Sequence, residues 1–335
     1  MECDELEPLI LAKDLSKYYD LRGSFFESLF SKEKRYIKAV DNINFYINPG
    51  ETFGLVGESG CGKTTTGRLV INTIRPTSGK VMFEGTDLST LKDKNDLRAL
   101  SLKMQMIFQD PYEFLSPWLN IVDTLAEPLR IHKLFDEKRI QERVREVMEI
   151  VGLTPVNMIL RKFSYELSGG QRQRVMIARA LMLNPKFIVA DEPVSMLDVS
   201  IRVGVLNLLN ELKHKFNLTS LFITHDIAVS RYMCDRIAVM YLGKIVEMGP
   251  ANDIINDPQH PYTQALVAAV PVPNPSITTG EIPIKGRIPT SANQLPQGCR
   301  FSPRCPYGDS CKDSEPDLVE IEEGRFVMCY RASKK

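Results

Sequence analysis

The chain has no surplus of charge of either sign: Lys and Arg number 42, Asp and Glu number 42, and the formal net charge is zero. Bulk electrostatics therefore gives no pull toward nucleic acid or an acidic lipid surface. No apolar run approaches the roughly 20 residues needed to span a bilayer. The opening Met1-Glu2-Cys3-Asp4-Glu5 is acidic and lacks the basic and apolar regions of a signal peptide. An unexported chain is expected, one that meets a membrane only through a partner. Disulfides are not expected either. Of seven cysteines, Cys3, Cys61 and Cys234 are scattered, while Cys299, Cys305, Cys311 and Cys329 gather near the end. Scattered thiols fit a reducing compartment, so the late cluster reads as a metal site. What is present is a globular composition, 43% hydrophobic and 25% charged, over 335 residues. That length allows one large or two ordinary domains.

The most informative stretch is Gly57-Glu58-Ser59-Gly60-Cys61-Gly62-Lys63-Thr64-Thr65. It follows the β-prone run Glu51 to Val56 and precedes apolar residues at helical spacing (Leu69, Val70, Ile71, Ile74) that stop before Pro76. Strand, glycine loop and helix in that order make a phosphate cradle. The glycines let backbone N–H groups curl around phosphate oxygens, and the helix aims its positive end at the same anion. Lys63 would reach the β- and γ-phosphates and the Thr64 hydroxyl would ligate Mg²⁺.

Further along, Asn42 to Ile47 alternates polar with apolar residues, as a half-exposed antiparallel strand does, and Pro49-Gly50 is a turn. Gly23 to Lys38 reads as an exposed basic insert. Tyr18 and Tyr19 close the first strand, where either ring could pack or stack on a purine. Met104 to Phe108 reads as a buried strand ending at Gln109, where a glutamine can either ligate Mg²⁺ and sense the γ-phosphate or stand solvated in a loop. Trp118 to Phe163 turns helical, with Ile140, Val144, Val147, Met148 and Val151 on one face, as a helical subdomain inserted into an α/β core would. Ser168 then N-caps a helix whose start, Gly169-Gly170-Gln171, can face backbone amides to a second anion. Phe187 to Ala190 is an apolar strand ending in Asp191 and Glu192. Strand ends of this kind are where open α/β sheets bind ligands. Asp191 would hold Mg²⁺ and Glu192 would act as general base on the attacking water. Leu197-Asp198 leads a helix to Lys215, and His225 ends the strand Leu221 to Thr224, polar like the two strand ends before it.

The ordered set resembles the ATP-binding cassette (ABC) proteins: Walker A ending in Gly62-Lys63-Thr64, Q-loop Gln109, signature Leu167-Ser168-Gly169-Gly170-Gln171, Walker B Asp191-Glu192, D-loop Ser195-Met196-Leu197-Asp198 and switch His225. The likeness covers about Leu9 to Gly249. It implies a P-loop NTPase with a RecA-like α/β core, an antiparallel β subdomain and an inserted helical subdomain at about 112–168. It also implies ATP hydrolysis across a dimer, the Walker A of one subunit and the Ser168-Gly169-Gly170 of its partner sandwiching one ATP. Tyr19 falls at the family's base-stacking position, with Tyr18 one residue off. Met196 stands where relatives often carry Ala, which implies a packing difference.

The segment from His260 to Cys329, above all Cys299-Arg300-Phe301-Ser302-Pro303-Arg304-Cys305-Pro306, resembles the C-terminal extension of ATP-binding subunits of oligopeptide/dipeptide importers. The division implied is 1–258 for the cassette and 259–335 for a small irregular domain carrying the cysteines. Their spacing, C-x₅-C-x₅-C-x₁₇-C, differs from the C-x₂-C pairs of zinc ribbons; four thiolates suit a [4Fe–4S] cluster or tetrahedral zinc. The implied function is the ATPase of a translocase, peripheral on the cytoplasmic face of the cell membrane. The implied partners are two transmembrane permeases, a paralogous ATPase in a heterodimer and an extracytoplasmic substrate-binding protein, with no nucleic acid. Permease helices would dock near Gln109 to Trp118. Oligosaccharide or nickel importers and the cassette of a soluble enzyme complex share the architecture and remain open at this point.

Overall fold

The computed structural model describes residues 7–20, 36–270, 284–285 and 295–332. Most of the expected basic insert, and the irregular Ile282-Pro283 and Arg287 to Thr290, lie outside the described residues. Contacts divide the chain into two compact units. One takes residues 1–47, 52–89 and 224–335; the other takes 48–51 and 90–223.

In the first unit a four-stranded antiparallel sheet runs in the order Tyr36–Ile47, Ile10–Asp20, Ser78–Phe83, Thr86–Asp87. Its register places Ile10 opposite both Ile47 and Phe83. The alternation expected at Asn42 to Ile47 is present: Ile43, Phe45 and Ile47 are buried while Asn42 and Asn44 face solvent. This is the period-two pattern of a sheet with one dry face. A second set of strands carries the phosphate loop. Thr52–Val56 lies parallel to Arg236–Tyr241, which pairs antiparallel with Lys244–Pro250. The strand Thr52–Val56 is buried along its whole length, as strands of parallel sheets are.

The extension is less irregular than its composition implies. Val319–Glu322 and Arg325–Val327 form a hairpin turning at Gly324, and Arg325–Val327 adds to the edge of Lys244–Pro250. The helix Pro261–Ala268 starts where Pro261 needs no N–H partner, and His260 caps it by accepting the Tyr262 N–H at 3.1 Å. The helix after the phosphate loop is Lys63–Val70, shorter than the apolar spacing through Ile74 predicts, and the chain turns at Asn72 with φ 60°.

The second unit holds three parallel strands, Met104–Ile107, Phe187–Asp191 and Thr219–Thr224, with Met104 opposite Phe187 and Asp191 opposite Ile223. Its helical part comprises Ile121–His132, Glu137–Ile150 and Val156–Ile159. The predicted stripe Ile140, Val144, Val147, Met148 and Val151 is buried. Asn120 and Asp136 cap the first two helices through their side chains.

Candidate active site

Two glycines of the phosphate loop are fixed by neighbours. A Cβ on Gly57 would stand 2.2 Å from the Met240 carbonyl oxygen, and one on Gly62 would stand 2.1 Å from that of Ala39. The loop thus threads between the strand of Met240 and that of Ala39, where only hydrogen fits. Gly62 is also the N-cap of Lys63–Val70, at φ 111° and with no capping side chain, so the helix start is left to other acceptors. Lys63 is 5% exposed and its ammonium donates to the carbonyls of Gly57 at 2.7 Å and Glu58 at 3.0 Å. It braces the loop from inside. Cys61 is buried 3.8 Å from that ammonium, and burial pushes its thiol above the usual range. Cys61 is therefore a small, buried residue with little thiolate character. Thr64 and Thr65 are half-buried at the helix start, and Ser59 and Gly60 are open to solvent or nearly so.

Glu58 is held from outside the loop. Its backbone N–H donates to the Tyr262 hydroxyl at 2.9 Å, and its carboxylate accepts both terminal nitrogens of Arg304, at 2.9 and 3.1 Å. Burial works against the Arg304 charge, but hydrogen bonds to Glu58 and Tyr241 outweigh it and hold the guanidinium above its ordinary value. Arg300, one turn earlier, donates to Asp41 and to the Leu242 carbonyl. Asp41 also accepts the Tyr18 hydroxyl. Burial opposes the Asp41 charge; Tyr18, Arg300, Lys244 and Lys38 together hold its pKa below the usual carboxylate range. Tyr18 is thus committed to Asp41, whereas Tyr19 is 41% exposed with the Lys17 ammonium 5.3 Å from its ring centre. None of Arg300, Arg304, Asp41 and Tyr262 was singled out by sequence. The available signal was two arginines four residues apart, a helical-turn spacing, inside the cysteine stretch.

In the second unit the Gln109 amide donates to the Glu192 carboxylate at 3.1 Å, so two of the expected residues meet. Asp191 ends its strand 3% exposed. Glu192 turns out of that strand at φ 45°, and its carbonyl accepts the Ser195 hydroxyl at 3.0 Å. Ser168 and Gln171 form a reciprocal cap: the Ser168 hydroxyl oxygen accepts the Gln171 N–H at 3.3 Å, and the Gln171 side chain accepts the Ser168 N–H at 3.1 Å. Gly170 is packed on the following helix, since a Cβ there would be 2.5 Å from Ile201. Asp198 is exposed at the start of Val199–Phe216. His225, in the first unit, is exposed. After Gln109 comes an aromatic cluster: Phe108 and Phe114 stack with centroids 3.7 Å apart, Arg172 lies 4.1 Å from the Tyr112 ring centre, and Trp118 is 87% exposed.

The expected metal site at the cysteines is not assembled. Among the described residues no group of three or more His, Cys, Asp or Glu stands together so as to hold a metal ion. Cys299, Cys305, Cys311 and Cys329 do share one neighbourhood, and the Cys299 N–H donates to the Cys311 carbonyl at 3.0 Å. Burial, then the charges of the other three, push the Cys299 thiol up to about 11. Burial likewise raises Cys305 and Cys329. A thiol must ionise before it can ligate a metal, so a cluster or zinc here would have to pull these pKa values down.

No helix among the described residues is long and apolar enough to cross a membrane. The profile described as "ABC transporter" matches residues 40–195, and that described as "Oligopeptide/dipeptide transporter, C-terminal region" matches residues 246–311. The oligopeptide transport ATP-binding protein AppF of Bacillus subtilis is 42% identical, the alignment covering 97% of each chain. Among solved structures, the dimeric post-hydrolysis state of the ATP-binding cassette MJ0796 bound to ADP and Pi is 28% identical. It has a TM-score of 0.63 and covers 72% of this chain and 98% of that one. A cassette from Clostridium perfringens, cbiO1, is 24% identical, covers 75% of this chain and 91% of that one, and shares the fold at TM-score 0.63. Phosphate loop, carboxylate-ended strand, glycine-capped helix and near full-length likeness converge: this chain belongs to the ATP-binding cassette transporter family, as an ATPase of the oligopeptide/dipeptide branch.

Proposed function

We propose that the chain is the ATP-hydrolysing subunit that powers import of peptides. The observation that carries this reading is the likeness to an oligopeptide transport ATP-binding protein over 97% of both chains, joined to the extension matched at residues 246–311. In this reading Lys63 and the amides from Gly57 to Thr65 hold the phosphates and Tyr19 stacks on the base. Thr64, Gln109 and Asp191 offer oxygen donors of the kind Mg²⁺ takes, and the ion would offset phosphate charge. Glu192 polarises the attacking water. The Gln109 amide that engages Glu192 at 3.1 Å would steady that carboxylate until nucleotide arrives. His225 senses the γ-phosphate, and Ser168, Gly169, Gly170, Gln171 and Asp198 act on the ATP of the partner subunit. Closure follows because one triphosphate binds both subunits, and hydrolysis removes that bridge.

The proposed assembly has this chain, a paralogous ATPase, two permeases and an extracytoplasmic binding protein, with the ATPases on the cytoplasmic face. The exposed aromatics from Tyr112 to Trp118 support a permease contact there. For the four cysteines, a [4Fe–4S] cluster or zinc stays a proposal that requires the thiols to draw together and ionise. Anaerobic purification checks it: absorbance at about 400 nm that Cys305→Ser removes supports the cluster, bound zinc supports the alternative, and a metal-free colourless protein rejects both. The functional reading is tested by purification from native membranes. Co-purification with permeases and a binding protein that retains peptides supports it. Recovery with permeases whose binding protein retains an oligosaccharide or nickel rejects the peptide cargo, and recovery with soluble enzymes alone rejects transport.

A further inference from the structure

The cysteine-bearing stretch reaches the phosphate loop with a buried arginine. Arg304 grips the Glu58 carboxylate through two nitrogens, the fork-on-carboxylate geometry of strong charge-assisted pairs. The Arg304 side chain is 8% exposed and that of Glu58 24%. Glu58 lies between Gly57 and Ser59, within the segment read as the phosphate cradle, so its negative charge sits beside the place a polyanion would occupy. Nothing else described contacts the carboxylate as closely. The Glu58 N–H is turned to Tyr262, so both its backbone and its side chain are held by residues C-terminal to the last strand of the cassette. Arg300 does the same at the base side, gripping the Asp41 that accepts the Tyr18 hydroxyl.

We infer that Arg304 is a positioning residue for nucleotide: it neutralises Glu58 and fixes the phosphate loop, which makes the extension part of the ATP site. The inference rests on the reading that the Lys63 loop holds the phosphates. A bare Glu58 would repel each added phosphate, so loss of Arg304 should weaken triphosphate more than diphosphate. A purely structural arginine would weaken both alike.

The test measures dissociation constants for MgATP and MgADP on the full-length chain by titration calorimetry. Lys63→Ala reports on the site itself; undiminished MgATP binding there rejects the phosphate-loop reading and not the arginine. In Arg304→Gln the MgATP constant should rise about tenfold, the size of ordinary coupling between sites, with a smaller rise for MgADP. Adding Glu58→Gln in the same chain should recover most of the loss, because the uncompensated charge is gone. An unchanged ATP-to-ADP ratio in Arg304→Gln, or a double variant no better than the single one, overturns the inference. If Arg304→Gln does not fold, Glu58→Gln alone decides. With Arg304 now unneutralised, MgATP should tighten relative to MgADP, and an unchanged ratio overturns the inference equally.

Discussion

Gly60 and Gly62 sit two residues apart in the same loop, both at positive φ, and they should respond to alanine very differently. At Gly60 φ is 80° and a Cβ would meet nothing within 4 Å. Its replacement by Ala carries only the left-handed backbone term, about 1 kcal/mol. At Gly62 φ is 111°, and the added methyl would lie 2.1 Å from the Ala39 carbonyl oxygen and 2.8 Å from the Met240 methyl. The methionine tip can swing away. The Ala39 carbonyl is backbone and yields far less, because Ala39 is a bulge residue held between Lys38 and Val40, which are registered against Tyr18 and Lys17. Overpacking against backbone adds roughly 1–3 kcal/mol, for a total of about 2–4 kcal/mol. The two variants should therefore differ by about 2 kcal/mol, near 30-fold in the folded-to-unfolded ratio. Urea unfolding of the nucleotide-free chain reads this as a lower midpoint for Gly62→Ala at unchanged slope. Equal midpoints for the two variants, or a lower one for Gly60→Ala, would refute the reasoning, because motif membership and not the Ala39 contact would then set the cost.

Glu192→Gln should still bind MgATP and accumulate the closed dimer on gel filtration, while phosphate release falls at least about 100-fold, the usual worth of a general base; undiminished turnover removes that role. Tyr18→Phe keeps the ring but loses the hydrogen bond to Asp41, so about 1 kcal/mol of stability should go while ATP affinity holds. Tyr19→Ala should do the reverse, and a titration showing affinity loss in Tyr18→Phe instead would reassign the base contact. His260 is fully buried, and burial pushes its pKa from the ordinary histidine range to about 3. The folded chain keeps it neutral while the unfolded chain protonates it below about pH 6.5. Its contribution is therefore whole above that pH and is lost progressively as pH falls toward 3. His260→Asn, which keeps a capping acceptor, should flatten that part of a stability-against-pH curve, and an unchanged slope counts against the assignment.

Much of the local geometry could be read from sequence because its demands are local. A strand, three glycines, a lysine and a helix form one continuous segment, so Gly57 to Thr65 announce their geometry without reference to the rest of the chain. The same holds for Ser168 and Gln171, where a capping box needs only four residues. Contacts that close over long sequence separations were not legible. Arg304 meets Glu58 across 246 residues, and Arg300 meets Asp41 across 259. No periodicity encodes such pairs, since any acid could partner any arginine until the fold chooses. The extension misled in a related way. Its prolines and cysteines imply irregular chain, yet the hairpin at Gly324 finds its partner in Lys244–Pro250, and the buried Arg300 and Arg304 tie it to Asp41 and Glu58. Part of its order comes from the cassette strand it pairs with.

In the proposed sandwich of one ATP between two subunits, the Ser168 hydroxyl can serve the cap and the phosphate together. A serine hydroxyl has two lone pairs and one proton. In the reciprocal cap it spends a lone pair on the Gln171 N–H, so its own proton is still available to donate. A phosphate oxygen needs donors, and the Ser168 hydroxyl can supply one without dissolving the cap that holds the helix start in place. Gly169 has no nearer neighbour than Leu197, 3.6 Å from where its Cβ would be, whereas Gly170 is pressed on Ile201. One glycine thus leaves room for the approach of an anion and the other seats the helix on its scaffold. The helix start can therefore be fully formed before nucleotide arrives, and binding energy from the partner's ATP need not be spent on ordering it.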